Sequence, residues 1–345
     1  MRPVARTFLI LVLVCLAVAV GASELFYKAW HGQGPLTVDA IVVIDPASRT
    51  INVARKLQEA GVIEDWHLFI IGVTLFADGR QLRAGEYRFG AGLSQEQVMR
   101  MMIAGATYAR RITIPEGYTT IQALRVVGAA EGLAGDLPPD PPGEGQLLPE
   151  TYFYTRGETR FVVVGRMEEA MRRAMVRLWG ERDANLPYDA IDKALVLASI
   201  VEKETSRPSE RAHIAGVFIN RLRRSMPLQS DPTVIYAVTS GTTPLGRDIS
   251  AADLQLKNPY NTYLFKGLPP GPICNPGLAS IEAVLHPIVT KDLYFVADGS
   301  GGHAFAQTLE EHNRNVAAYR KVLIQQGVDQ AAQASAPAAG DSQQR

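Results

Sequence analysis

The decapeptide "LASIVEKETS", Leu197 to Ser206, joins an apolar run to the triplet Glu-Lys-Glu. The apolar part has the composition of a buried helix, and the triplet that ends it carries two carboxylates. A helix turns by about 100° per residue, so Glu202 and Glu204 point in nearly opposite directions. At most one of them can therefore face a given groove in the folded domain.

The residues one turn earlier distinguish the two carboxylates. Glu204 follows Ile200 on the more apolar stripe, whereas Glu202 follows Ala198 and Ser199. Burial raises the pKa of a carboxylic acid, and a general acid must be protonated near neutral pH. We therefore predict that Glu204 is a general acid and that Glu202 pairs with basic residues at the surface. The decapeptide alone leaves open that both are solvated residues at a helix end, although negative charge there is mildly unfavourable.

The composition describes a globular protein large enough for two domains. The chain has 345 residues, of which 47% are hydrophobic, and its 35 basic and 35 acidic side chains give a net charge of zero. Such a balance gives no overall attraction to nucleic acid, and we predict no nucleic-acid partner. Cys15 lies in an apolar N-terminal stretch far from Cys274, so no disulfide between folded parts is expected.

The N-terminus predicts a membrane helix. Arg2 and Arg6 precede "TFLILVLVCLAVAVGASELFYKAW", which is uncharged from Thr7 to Ser23. We predict a cytoplasmic N-terminus at 1–6, a span at 7–27 and the remaining chain outside the cytoplasm. The alternative is a signal peptide cleaved at the small residues of "AVGAS".

The rest of the chain predicts an α+β fold in two parts. In the first, 36–105, strand and helix patterns alternate as in a small α/β module, with Ser48 capping its first helix and Ser94 with Gln97 forming a capping box. The second, 106–327, contains a Pro/Gly-rich loop, mainly long helices and one β-hairpin. The predicted helices are 162–180, 188–204, 209–224 and 309–326, and the hairpin turns at Asp298 to Gly302. The Ala/Gln/Ser-rich tail at 328–345 is predicted to be disordered.

Three later stretches carry an unusual, ordered set of motifs: "VFINRLRRSMPLQSDPTVIYAV", "NPYNTYLFKGLPPGPICNPGLASIEAVLHP" and "LYFVADGSGGHAFAQTLEEHNRNV". Together they closely resemble the MltG (YceG-like) family of endolytic murein transglycosylases. The likeness runs from about Leu36 to the end of the last helix and is densest between Leu197 and Asn315.

The resemblance implies a membrane anchor, a LysM-like module and a lytic transglycosylase domain with one catalytic glutamate. Glu204-Thr205 resembles the Glu-Ser pair of lysozyme-like lytic transglycosylases, with Glu202 as the second choice. Ser230 and Cys274 depart from the family's usual residues. Neither is expected to contact the proposed acid, and Cys274 is expected to be somewhat exposed.

The implied substrate is peptidoglycan, and the implied reaction needs no second carboxylate. Glu204 would protonate the oxygen that leaves N-acetylmuramic acid C1 and then accept the proton of the C6 hydroxyl of that sugar as it closes on C1, which leaves a 1,6-anhydro end. Glycoside hydrolases use two carboxylates, and Asp231 is the available second one. Its place before a proline predicts instead that it caps a helix.

Further candidates for substrate binding have polar or aromatic side chains suited to a glycan groove. Each also has a structural interpretation: a core turn for the tyrosine-rich segment, a satisfied structural histidine, or an amide that merely orients the cleft. They are Asn220, Gln229, Asp231, Tyr260, Asn261, Thr262, Tyr263 and His303.

Other chemistries find no support in the pattern of residues. His303 and His312 lack partners at metal-ligand spacing, so no metal or other cofactor is predicted. No Gly-x-Ser-x-Gly elbow of a serine hydrolase is present. Two further classes stay open: a non-catalytic glycan-binding scaffold for cell-wall synthases, and a muramidase-type hydrolase that uses Glu204 with Asp231. In each case cell-wall synthases are the expected protein partners.

Overall fold

A computed structural model describes residues 3–78 and 80–335 as helices and short paired strands. The chain forms two compact units. The first comprises Met1–Arg111, Gly132–Ala134 and Phe153–Glu158, and the second comprises Ile112–Glu131, Gly135–Tyr152 and Thr159–Arg345. The chain thus passes between units a little beyond the boundary predicted at 105/106, and it does so within a strand.

The first helix, α1 (Pro3–His31), is long and apolar enough to cross a membrane. Its apolar part, Arg6–His31, has 26 residues and a mean hydropathy of 2.6. At about 1.5 Å per residue it is roughly 39 Å long, which exceeds the hydrocarbon core of a bilayer. Among the side chains of α1 that the structure describes, those of the last turns are packed on protein: Trp30 is 1% exposed and stacks on Phe26.

The rest of the first unit is built from two strands and three helices: β1 (Ala40–Ile44), α2 (Thr50–Glu59), α3 (Trp66–Phe76), β2 (Gly85–Phe89) and α4 (Gln95–Ala104). The strands are antiparallel, with Ala40 opposite Phe89, and their inner side chains join a core that includes Trp30.

Local sequence signals explain both ends of α4 but not the start of α2. The capping box of Ser94 and Gln97 is confirmed, and α4 ends at Gly105 with a φ of 69°. The cap predicted at Ser48 is wrong, because α2 begins at Thr50 and its flanking residue Arg49 makes no side-chain capping bond.

The second unit is mainly helical. Strands β3 (Arg110–Thr113) and β4 (Thr151–Tyr154) are each divided between the two units. The other elements of the second unit are α5 (Thr120–Ala129), α6 (Arg160–Glu181), α7 (Ile191–Glu204), α8 (Pro208–Arg223), α9 (Asp231–Thr239), α10 (Ala251–Leu254), α11 (Leu278–Leu285), β5 (Tyr294–Ala297), β6 (His303–Ala306) and α12 (Leu309–Ser335). Strand β3 pairs with β4, and β5 pairs with β6 as the predicted hairpin, closed by the Asp298 amide donating to Gly302.

Helix α7 forms the centre of this unit. Every residue from Ala194 to Val201 is buried, as expected for a helix that is apolar all round. It packs against α8 and α11, and its Ser199 accepts the amide proton of Ile273. Cys274 is fully buried in the same region, so the prediction of an exposed thiol is wrong. This packing fixes the direction of the carboxylates at the end of α7.

The C-terminal helix is longer than predicted. Helix α12 extends to Ser335 rather than ending near Gln326, so residues 328–335 of the predicted disordered tail are helical. The remainder of that predicted tail, 336–345, lies outside the described residues, as do Met1 and Arg2 of the predicted cytoplasmic segment.

Candidate active site

A cavity of about 540 Å³ opens at the carboxyl end of α7. Helices α7, α8 and α12, the start of α9 and the β5–β6 hairpin all contribute to its lining. Five of the predicted site residues line it: Glu204, Gln229, Asp231, Tyr263 and His303.

Glu204 lies half-buried in this cavity and accepts a hydrogen bond from the hydroxyl of Ser230. Burial raises the pKa of its carboxyl group to about 7. The nearby charge of Asp231 acts in the same direction, while the Ser230 hydrogen bond and the charge of Arg221 act against it. The side chain is therefore close to half protonated at neutral pH, which suits a group that must donate and then recover a proton.

Glu202 points away from this cavity, as the helix geometry predicts. One of its oxygens accepts a hydrogen bond from the backbone N–H of Gly277 at 2.9 Å, and the other lies 3.5 Å from the Arg211 guanidinium. Arg211 also contacts Glu116 at 3.3 Å. The predicted pairing with a basic residue is thus present, but its predicted surface location is wrong, since the Glu202 side chain is only 6% exposed.

Ser230 is the polar side chain bonded directly to Glu204, which corrects the expectation that this position lies away from the acid. It is 1% exposed, and its amide donates to the hydroxyl oxygen of Thr262 at 3.0 Å. Its contact with Glu204 depends on how the end of α7 packs against the start of α9. No local sequence pattern predicts that packing.

Asp231 does not cap α9, so the capping prediction is wrong. It is the first residue of the helix, and Ser230 precedes it without a side-chain capping bond. One oxygen of Asp231 instead accepts a hydrogen bond from the Tyr263 hydroxyl at 2.6 Å. Burial and this bond raise the pKa of Tyr263, so its hydroxyl stays protonated and both side chains face the cavity.

Gln229 has a left-handed backbone, with a φ of 51°, which is uncommon for a residue other than glycine. Its backbone N–H donates a hydrogen bond to the carbonyl of Thr262 at 3.1 Å, and its side-chain oxygen accepts one from the Arg221 guanidinium at 3.2 Å. Arg221 is buried and also donates to the carbonyls of Leu228 and Leu293. These contacts hold the segment before α9 beside Glu204 despite its strained conformation.

Two histidines face the cavity from its far wall. His303 is held by Glu210, with 2.7 Å between its ring nitrogen Nδ1 and the carboxylate. His312 stacks on Tyr294, and its Nδ1 is buried without a hydrogen-bond partner among the described residues. Burial lowers the pKa of His312, so its ring is neutral at pH 7 and can hydrogen bond a substrate.

Several lining residues were not predicted as site residues from the sequence: Tyr294, Phe295, His312 and Asn313. All lie in the stretches that carry the family resemblance, which is the one signal that could have indicated them.

Four predicted binding residues lie outside the cavity lining. Asn220 donates to the carbonyls of Thr290 and Asp292, and Tyr260 packs on Tyr236. The prediction that Asn261 and Thr262 contact the substrate is corrected, because both are fully buried. The Asn261 amide bonds backbone carbonyls, including that of Leu254 at 3.0 Å, and Thr262 bonds Ser230. These residues support the walls of the site from behind.

Within residues 3–78 and 80–335, no group of three or more His, Cys, Asp or Glu side chains is arranged to hold a metal ion.

The sequence is similar to those of known proteins. The YceG-like family matches residues 42–318 of the chain. The "Endolytic murein transglycosylase" of Streptococcus pneumoniae serotype 2 is 30% identical over 90% of this chain, which spans 65% of the length of that relative. The protein of the same name from Bacillus subtilis strain 168 is 32% identical, over 67% of this chain and 71% of that protein.

A crystal structure of a yceG-like protein from Listeria monocytogenes is also similar, with 29% identity, coverage of 80% of this chain and 98% of that one, and a TM-score of 0.48. From the family match across most of its length, the chain belongs to the YceG-like family.

Proposed function

We propose that the protein is an endolytic lytic transglycosylase that cleaves the bond between N-acetylmuramic acid and N-acetylglucosamine in nascent peptidoglycan strands. The product carries a 1,6-anhydro end, which terminates elongation of the strand. The observation that carries the proposal is Glu204: one half-buried acid with a pKa of about 7 in a cavity of polar and aromatic groups. The names of the relatives support the same substrate and reaction.

In the first half of the reaction, protonated Glu204 donates its proton to the glycosidic oxygen as the bond from that oxygen to the muramic acid C1 breaks. The developing positive charge is on the sugar ring. In the second half, the C6 hydroxyl oxygen of the same sugar bonds to C1, and its proton passes to the Glu204 carboxylate. The acid is regenerated and no water is consumed, so one carboxyl group suffices.

The groups around Glu204 are suited to hold a neutral sugar. The side-chain NH2 of Gln229, the neutral ring of His312 and the His303 ring offer hydrogen bonds to hydroxyl or acetamido groups. Tyr294 and Phe295 offer apolar faces. Arg221 already donates to several protein oxygens, so its role is to hold the wall of the cavity.

A muramidase-type hydrolase is the second candidate, because Asp231 lines the same cavity as Glu204. Such an enzyme would use Asp231 to activate a water or to attack C1. One oxygen of Asp231 already accepts a hydrogen bond from the Tyr263 hydroxyl, which favours a structural role for Asp231 over a catalytic one. The products separate the two reactions, because hydrolysis leaves a reducing end.

We further propose that α1 anchors the protein in the inner membrane, with the N-terminus in the cytoplasm and the folded units in the periplasm. The first unit would then act as a LysM-like module beside nascent glycan, close to cell-wall synthases. The apolar length of α1 supports the anchor.

The direct test is mass spectrometry of peptidoglycan digested by the Glu204→Gln variant. We expect loss of anhydro products by at least about a hundredfold, the usual contribution of a positioned general acid. Glu181→Gln, an exposed glutamate at the end of α6, is the matched control and should retain full activity. Anhydro ends formed at the normal rate by Glu204→Gln would falsify the assignment, reducing ends from the wild type would indicate the hydrolase, and no cleavage would indicate a scaffold.

A further inference from the structure

The first unit has an apolar surface beside the end of α1 that the proposed reaction does not use. On α3, Ile71, Leu75 and Phe76 are 46%, 60% and 46% exposed. A cavity of about 670 Å³, larger than the one at Glu204, lies next to them and is lined by Trp30 and Arg83 among others. We call this region the α1–α3 surface.

The α1–α3 surface is continuous with the apolar side of α1. Phe76 contacts both Phe26 and Trp30, with ring centroids 6.4 Å and 5.7 Å apart. Gly72 allows the two helices to approach closely, since a Cβ atom there would lie 2.1 Å from the Trp30 ring. The apolar face of α3 is thus held directly against the last turns of the helix.

The position of these contacts along α1 sets their depth in a bilayer. The uncharged run ends at Ser23, and Phe26 lies about 5 Å further along the helix axis. This distance is similar to the thickness of the head-group layer, which is several ångströms. If α1 spans the membrane, Phe76 lies at the level of the head groups, where exposed aromatic and aliphatic side chains are stabilised.

The charges around the cavity complement an anionic lipid surface. Arg80 pairs with Asp78 at 3.2 Å, and Arg100 pairs with Glu96 at 2.6 Å. Arg83 lines the same cavity, and its guanidinium has no acidic partner in the described part of the chain. A cation at the rim of an apolar surface matches the arrangement of phosphate and acyl chain in a phospholipid.

We propose that the α1–α3 surface lies in the outer face of the membrane that α1 crosses and that Arg83 binds the phosphate of anionic phospholipid head groups there. The inference rests on the proposed membrane anchor. It gives the first unit a second attachment to the bilayer besides α1 itself.

Nitroxide labels on the full-length chain in lipid nanodiscs test this proposal. Cys15, within α1, reports the anchor; Cys274 is fully buried with the pKa of its thiol raised, so it stays unlabelled. In a Cys15→Ala background, Leu75→Cys reports the α1–α3 surface. Ile41→Cys is the matched control, because Ile41 is exposed on the face of β1 opposite the core.

Collisions with oxygen, which concentrates in lipid, and with a water-soluble nickel chelate locate each label. We expect the Cys15 and Leu75 labels to meet oxygen and the Ile41 label to meet nickel. If the Leu75 label collides with the nickel chelate as often as the Ile41 label does, while the Cys15 label remains in lipid, this inference is overturned and the membrane anchor is not. A water-exposed Cys15 label overturns the anchor and the inference together, and a Leu75 label shielded from both reagents overturns the inference by showing a protein cover.

The lipid head group is tested by charge reversal. In phosphatidylglycerol discs, Arg83→Glu should shift the balance between buried and water-exposed Leu75 label at least about fivefold toward water, because loss of one basic residue at an anionic surface alone has an effect of this size. Phosphatidylcholine discs should show little change. Arg88→Glu, beside Ile41 in the sheet, is the matched control and should have no effect. An equal effect of Arg83→Glu in both lipids would contradict recognition of an anionic head group.

Discussion

A single hydroxyl group adjusts the acidity of Glu204. Burial alone favours the protonated acid, whereas the hydrogen bond from Ser230 stabilises the carboxylate. The reaction requires both forms in turn, first as proton donor and then as acceptor. A pKa of about 7 lies between these demands, so Ser230 acts as a positioning residue that sets the balance.

Removing that hydroxyl should change the pH profile more than the fold. In the wild type, kcat/KM is expected to fall as pH rises above about 7, because Glu204 loses its proton. Ser230→Ala should move this fall to higher pH by about one unit, since a hydrogen bond to a charged group contributes about 1.5 kcal/mol. Rates of anhydro product formation between pH 5 and 9 measure the shift.

Ser230→Thr is the matched variant, because threonine supplies the same hydroxyl and should restore the wild-type profile. A Ser230→Ala profile that scales down without moving along the pH axis would show that Ser230 has a structural role only.

Individual residues show where reasoning from sequence succeeds and where it ends. The direction of Glu204 follows from helix periodicity and the apolar residues one turn before it, so it could be predicted. The contact of Ser230 with Glu204 and that of Asp231 with Tyr263 join residues 26 and 32 positions apart in the chain. Such contacts depend on how helices pack, which local patterns do not specify.

At the scale of elements, the direction of the α7 carboxylates depends on the contacts of its last turn. Glu202 joins α7 to Arg211 on α8 and to the amide of Gly277 before α11. Because Glu202 and Glu204 point to opposite sides, anchoring one holds the other toward the cavity. The capping box at α4 is local and could be predicted from the sequence, whereas this anchor joins three elements and could not.

Glu202→Gln should therefore lower stability without removing the chemistry. The variant leaves Arg211 with only Glu116, and we expect a loss of about 2 kcal/mol in the free energy of unfolding. Glu116→Gln, on the more exposed side of the same arginine, should cost less than about 1 kcal/mol. Chemical denaturation measures both, and anhydro product is scored per folded molecule.

A stable Glu202→Gln protein that forms no anhydro product would transfer the catalytic role from Glu204 to Glu202. An unstable protein with normal product per folded molecule would support the anchor.

At the scale of the whole molecule, composition and hydropathy predict the α+β class, the apolar N-terminal helix and a division into two parts. Helix α12 continues to Ser335, beyond its predicted end near Gln326, because the low apolar content that predicted disorder does not exclude a helix rich in alanine and glutamine. The groove at Glu204 could not be predicted as a shape, since it is formed by elements from Glu204 to Asn313.

The acid that is proposed to do the chemistry should also make the folded chain less stable at high pH. The pKa of Glu204 is about 7 in the folded protein and near its ordinary value of 4.5 when unfolded. Between these values the folded state holds a proton that the unfolded state has released, so stability is fully present below pH 4.5 and is lost as pH rises through 7. The expected loss is about 3 kcal/mol.

Glu204→Gln removes this loss, because an amide does not ionise. Relative to the wild type, the variant should gain up to about 3 kcal/mol in unfolding free energy on going from pH 5 to pH 8, measured by thermal unfolding of the full chain in detergent. Burial also raises the pKa of Glu116 and Glu144, but these groups act equally in both proteins and cancel in the comparison. Glu181→Gln should follow the wild type at every pH. If the unfolding free energies of the wild type and Glu204→Gln change in parallel with pH, the Glu204 carboxyl is hydrated in the folded protein. Glu204 would then lack the raised pKa on which its role as an acid depends.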